Sequence, residues 1–113
     1  DHVAPGRTAL PLRAIRDDDG WCDAPADRNY NRPVPIPYPS SHEILRRTDA
    51  IYDVCIVLDW NIRPRKRDRG SAIFFHLARP GFTPTQGCVA ISRQSMLWLL
   101  PRIDGRTILT VRR

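Results

Sequence analysis

The sequence predicts a mostly β domain with one or two short helices. Three observations carry this. The runs IYDVCIVL (51–58), SAIFFHL (71–77) and CVAIS (88–92) are apolar and rich in β-branched or aromatic residues, as strands are. Glycine- and proline-bearing stretches such as NIRPRKRDRG and ARPGFTPTQG separate them. Only RQSMLWLL, ahead of Pro101, and the shorter HEILRR (42–47) read as helical.

Taken in order, LPLRAI (10–15) alternates apolar and polar like a half-buried strand. Residues 17–41 show little periodicity. The four prolines after residue 32 disfavour both helix and central strand, so a long surface flap is expected, packed by Trp21, Tyr30 and Tyr38. Ser40 and Ser41 are placed to cap a helix at HEILRR, with Glu43 in its first turn and His42 at its exposed start. Residues 51–58 read as a central strand and 71–77 as a second. An antiparallel pair of 71–77 with 88–92 would be joined by a ten-residue loop, 78–87. Ser92 caps the next helix, whose Trp98, Leu99 and Leu100 form a buried face. TILTV (107–111) makes a last strand after the DG turn.

The 113 residues fit one domain, and 42% hydrophobic content supports a modest core. No apolar run approaches the ~20 residues of a membrane helix. The chain opens on Asp1 and His2 with no export signal in view, and the missing initial Met leads us to expect a piece of a longer protein. The formal charge is +6, and 17 of the 18 basic residues are arginine. This invites anionic partners. The densest cluster, RPRKRDR at 63–69, has no interleaved aromatic residue for base stacking, so a solvated turn is expected there and no nucleic acid partner. Three cysteines without a CxxC leave an odd thiol and no zinc knuckle; neither a metal nor a cofactor is expected. Cys55 reads as a small buried hydrophobe; Cys22 could be structural or exposed.

His76 and Cys88 bracket the loop HLARPGFTPTQGC. Side chains alternate along a strand, so His76 shares a face with Phe74 and Ala72, and Cys88 with Ala90 and Ser92. The opposite faces, Ile73, Phe75, Leu77 and Val89, Ile91, are wholly apolar. If pairing joins the two lighter faces, an imidazole meets a thiol. A thiol with an ordinary pKa near 8.5 needs such a base to become a nucleophile at neutral pH. Gly87, with no Cβ, lets a carbonyl approach the backbone and can turn N–H groups toward an oxyanion. By spacing alone, a satisfied, half-buried histidine and a structural thiol explain the pair better than catalysis does.

His76 followed by TQGCV (85–89) resembles the signature of the L,D-transpeptidase catalytic domain, also called the YkuD domain. GWCDAPADRNYNRPV (20–34), EILRR through IYD (43–53) and GSAIFFHLARPGFTPTQGCVAIS (70–92) are similar to one bacterial branch of it, so the likeness covers roughly residues 10–113. The resemblance implies a β-sandwich or partly closed barrel with the cysteine at the base of a groove. It implies a periplasmic or wall-associated enzyme of peptidoglycan biosynthesis, with a bearing on cell shape. Cys88 would be the nucleophile, His76 the base and later the acid, and Gly87 part of the oxyanion turn; Thr85, Gln86 and Arg79 would contact substrate. The thiolate attacks the third residue of a peptide stem, D-alanine leaves, and an amine of a second stem resolves the thioester into a 3→3 cross-link. Water as acceptor would give L,D-carboxypeptidase activity. The chain departs from the familiar pattern in its shorter His-to-motif loop, in Gln86 where a second His often stands, and in Ala90 where many members carry Arg. Arg79 or Arg93 offers a substitute for a stem carboxylate. The family's first strands would be missing from this single domain. A catalytically silent wall-binding module of the same fold is the alternative.

Overall fold

The computed structural model describes residues 8–67, 69–79 and 87–112. Six short strands lie among them: β1 (Asp19–Cys22), β2 (Pro33–Pro35), β3 (His42–Ile44), β4 (Cys55–Val57), β5 (Phe74–Leu77) and β6 (Val89–Ile91). They form two sheets of three, ordered β2-β1-β3 and β4-β5-β6. One short helix, α1 (Arg93–Leu99), runs into a 3-10 turn at Leu100–Arg102. The mostly β expectation with one short helix is met. Neither sheet closes into a barrel, because three short strands are too narrow to curl onto themselves.

The first sheet is built from the stretch expected to be a flap. Trp21, Cys22, Tyr30 and Val34 are buried there, and two of the four prolines, Pro33 and Pro35, sit on β2, an edge strand, where a missing N–H costs no ladder bond. His42–Ile44 pairs antiparallel with β1 in place of the expected helix. The serines meant to cap that helix donate to Asp27 and Asp23 instead, and strand pairing outweighs local helix propensity. LPLRAI and TILTV form no strand. Ile108 and Val111 stay exposed at 85% and 76%, without a partner strand to bury them.

β5 is the central strand of the second sheet, and all four of its residues are buried. Phe74 faces the first sheet in a cluster with Trp21, Ile51, Tyr52 and Ala72. Trp21 and Tyr52 meet the Phe74 ring edge-on at 5.2 and 5.7 Å. Phe75 and Leu77 face the other way, against Val54, Met96 and Leu100. A core on each face therefore replaces the expected division into one apolar and one open face. On α1, Ser92 is the N-cap as read, its Oγ accepting from the Ser95 N–H at 3.1 Å. The residue that anchors the helix is Met96; Trp98 points outward beneath the Arg102 guanidinium.

Candidate active site

The expected antiparallel hairpin is wrong in one respect that matters here. β5 takes β4 as its antiparallel partner, and β6 runs parallel to β5, with Phe75 opposite Val89 and His76 opposite Ala90. Residues 78–88 are long enough to carry the chain back to the start of β5. Cys88 therefore stands beside Phe74, at the opposite end of the strand pair from the loop exit. The Phe74 N–H points at the Cys88 Sγ at 3.4 Å, which fixes that placement independently. The shared face survives the correction: His76 and Cys88 are diagonal neighbours on the side of the sheet that meets Tyr52, and Cys55 stands opposite His76 on β4.

His76 is 3% exposed. Its Nδ1 lies 2.7 Å from the Leu77 carbonyl. A carbonyl only accepts, so Nδ1 carries a hydrogen, and the tautomer compatible with this contact is the one whose Nε2 bears the lone pair a base requires. The Tyr52 ring meets the imidazole edge-on at 5.2 Å and restricts its tilt. The Tyr52 hydroxyl donates to Glu43 Oε2 at 3.0 Å, joining β3 to the site. Burial, with the Glu43 carboxylate adding to it, pushes the Tyr52 hydroxyl far above the usual phenol range.

Cys88 is half-buried, and its Sγ–H donates to the Ala72 carbonyl at 3.2 Å. Burial raises its pKa, the Phe74 N–H partly offsets the rise, and the Glu43 carboxylate adds to it. The raised pKa favours the thiol, so a nucleophilic role would require a base to take its proton. Ala72 is held in the left-handed region at φ +57°, with its N–H donated to Asn31 Oδ1 at 3.3 Å. Asn31 is 1% exposed; it also accepts from Trp21 Nε1 and donates to the Trp60 and Asn61 carbonyls. This side chain pins the first sheet to the segment behind Cys88. Sequence reasoning missed it, as it missed Glu43 and Tyr52; an asparagine next to Tyr30 in a long polar stretch was the available signal.

Gly87 has φ +84°, a left-handed conformation that favours glycine in the turn into Cys88, and a Cβ there would also press on Ile73 Cδ1 at 3.2 Å. Thr85 and Gln86 lie outside the described residues. Arg79 lines a cleft of about 390 Å3 with Arg93, at the C-terminal ends of β5 and β6. A larger cleft of about 910 Å3 runs between the sheets past Trp21, Tyr52, Cys55 and Phe74, and neither His76 nor Cys88 lines it. Size alone therefore does not locate the chemistry. Burial pushes the Cys55 thiol up to about 12, and Cys22 is wholly buried. Both fit structural roles. The basic turn holds itself together through Asn61, which bonds the Lys66 N–H and the Lys66 and Gly70 carbonyls.

Among the described residues no helix is long and apolar enough to cross a membrane. No curated protein and no solved structure matches the chain. The model of one family, the L,D-transpeptidase catalytic domain or YkuD domain, matches residues 2–111. With nearly its whole length accounted for in this way, the chain belongs to the L,D-transpeptidase catalytic domain family.

Proposed function

We infer that the protein is a cysteine acyl transferase of peptidoglycan stem peptides, acting at the cell wall. The single observation that carries this reading is the common face of β5 and β6, where a half-buried thiol sits diagonally from a histidine whose Nδ1 is already engaged. Membership of the family supports peptidoglycan as the substrate class. Nε2 of His76 takes the Cys88 proton as sulfur attacks the carbonyl of the third stem residue. The carbonyl oxygen becomes an oxyanion facing the N–H groups of the Gly87 turn. The C–N bond to the terminal D-alanine breaks, its nitrogen takes the proton from His76, and a thioester remains on Cys88. The amine of a second stem then attacks, His76 accepts its proton, and the thiol is restored as the 3→3 amide forms. Water in place of the amine yields the L,D-carboxypeptidase product.

A raised thiol pKa and the hydrogen bond that Cys88 donates to the Ala72 carbonyl favour the second reading, a silent wall-binding module, over a preformed thiolate enzyme. Turnover of the stem tetrapeptide separates the two. Cys88→Ala is expected to abolish both cross-linking and thioester formation, while Cys55→Ala retains them. Cross-linking that persists in Cys88→Ala would refute the assignment.

A further inference from the structure

We propose that Asn31 is a positioning residue for the candidate nucleophile: its side-chain amide holds the Ala72 turn, and that turn aims the Cys88 sulfur. The amide is satisfied on every side. Its two hydrogens go to the Trp60 and Asn61 carbonyls at 3.1 and 2.8 Å. Its oxygen accepts from Trp21 Nε1 at 3.0 Å and from the Ala72 N–H at 3.3 Å. An amide side chain offers two hydrogens and two lone pairs, so this set of partners fixes which way the group faces. The Asn31 N–H donates to the Cys22 carbonyl at 2.9 Å, which ties the residue to β1.

The unusual geometry lies at the other end of the contact. Ala72 has φ +57°, a left-handed conformation that alanine seldom adopts and that its surroundings must hold. Three consecutive residues are tied to the stretch from Cys22 to Asn31. The Gly70 N–H donates to the Tyr30 hydroxyl at 3.2 Å, the Ser71 hydroxyl to the Cys22 carbonyl at 2.6 Å, and the Ala72 N–H to Asn31. Beyond this anchorage the chain passes the sulfur twice. The Ala72 carbonyl accepts the Cys88 S–H at 3.2 Å, and the Phe74 N–H points at Sγ at 3.4 Å. Both groups belong to a segment whose entry angle is set at Ala72. Asn31 is remote from Cys88 in sequence and acts on it through this turn.

Release of the Ala72 N–H lets the turn relax toward ordinary φ, and both contacts to sulfur loosen. They do not weigh equally. An S–H is a weak donor, whereas an N–H facing a thiolate makes a charge-assisted bond. Loss of the pair therefore costs the thiolate more than the thiol. The titratable groups on the same face, His76, Tyr52 and Cys55 with Glu43 bonded to Tyr52, lie outside the Asn31–Ala72 link and are left unaltered by substitutions in it. Placement of the sulfur for acyl transfer rests on the acyl-transferase reading; control of its ionisation does not.

The test is the pH profile of Cys88 alkylation by iodoacetamide, followed in the folded protein by peptide mass mapping. Asn31→Ala is expected to move the profile to higher pH and to slow alkylation at neutral pH about 3- to 10-fold, the weight of one hydrogen bond. Ala72→Gly, added to Asn31→Ala, should restore part of the rate, because glycine takes φ +57° without strain. A general loosening of the core would not be repaired in this way. An unmoved profile, a shift to lower pH, or a shift that Ala72→Gly leaves unrepaired would overturn the proposal. Where Asn31→Ala does not fold, nuclear magnetic resonance of the unsubstituted protein gives the answer. The Ala72 amide and the Asn31 side-chain amide hydrogens should exchange slowly and should shift when Cys88 is alkylated. Fast exchange, or Asn31 resonances indifferent to the alkylation, would overturn it equally. If the profile moves as expected but the unsubstituted protein never forms a thioester, the catalytic reading fails and the positioning role stands.

Discussion

Glu43 is the only glutamate in the chain, and it acts on the candidate nucleophile without touching it. Its carboxylate accepts from Tyr52, whose ring borders His76, and its charge adds to the rise of the Cys88 thiol. Removing that charge should ease ionisation of the sulfur. Glu43→Gln is expected to move the pH profile of Cys88 alkylation by iodoacetamide toward lower pH, and an unchanged or upward-shifted profile would contradict the role. Period-two alternation was enough to show that His76 and Cys88 could share a face. Their relative height along the sheet was not legible, because strand direction depends on which neighbour β5 chooses. The loop length between 76 and 88 permits either choice.

Among the elements, those whose local and tertiary preferences agree were readable. β5, β6 and α1 lie inside the expected runs, and Ser92 caps the helix as a serine before an amphipathic stretch should. Ser92→Ala is expected to lower stability by about 1 kcal/mol, measured as a shift in the urea midpoint at constant slope. No shift would show that the seven-residue helix is held by Met96 alone. HEILRR was misread because its helical propensity is real and is overridden by the open edge of β1. TILTV was misread for the converse reason: its β-prone residues pair with none of the sheet edges, and propensity alone makes no strand. The sheet of β1, β2 and β3 was hidden by proline. Edge position explains how prolines enter a sheet, and nothing in the local sequence marks a strand as an edge.

For the whole molecule, the two cores on either side of β5 explain why a short chain with short strands still presents a defined surface around Cys88. The first sheet is secured by a polar knot as well as by apolar packing. Asp27 accepts from Tyr38, from the Asn29 N–H and from Ser40, and these bonds, led by Tyr38, lower its pKa to about 2. A carboxyl with a depressed folded pKa stabilises the fold above its unfolded pKa of ~4 and loses that contribution as pH falls toward 2. Stability followed by thermal melting should decline across that acid window, and Asp27→Asn should flatten the decline. A mutant with the same acid slope as the parent would place the acid sensitivity elsewhere.

The central claim is that Cys88 becomes an acylated nucleophile. Intact-mass spectrometry after incubation with a carbapenem, an acylating agent for this family, tests it most directly. The account predicts one adduct on the unsubstituted protein, mapped by peptide digestion to Cys88 and lost in Cys88→Ala and His76→Ala. An adduct on Cys22 or Cys55, or none at all in a protein shown to be folded, would contradict it.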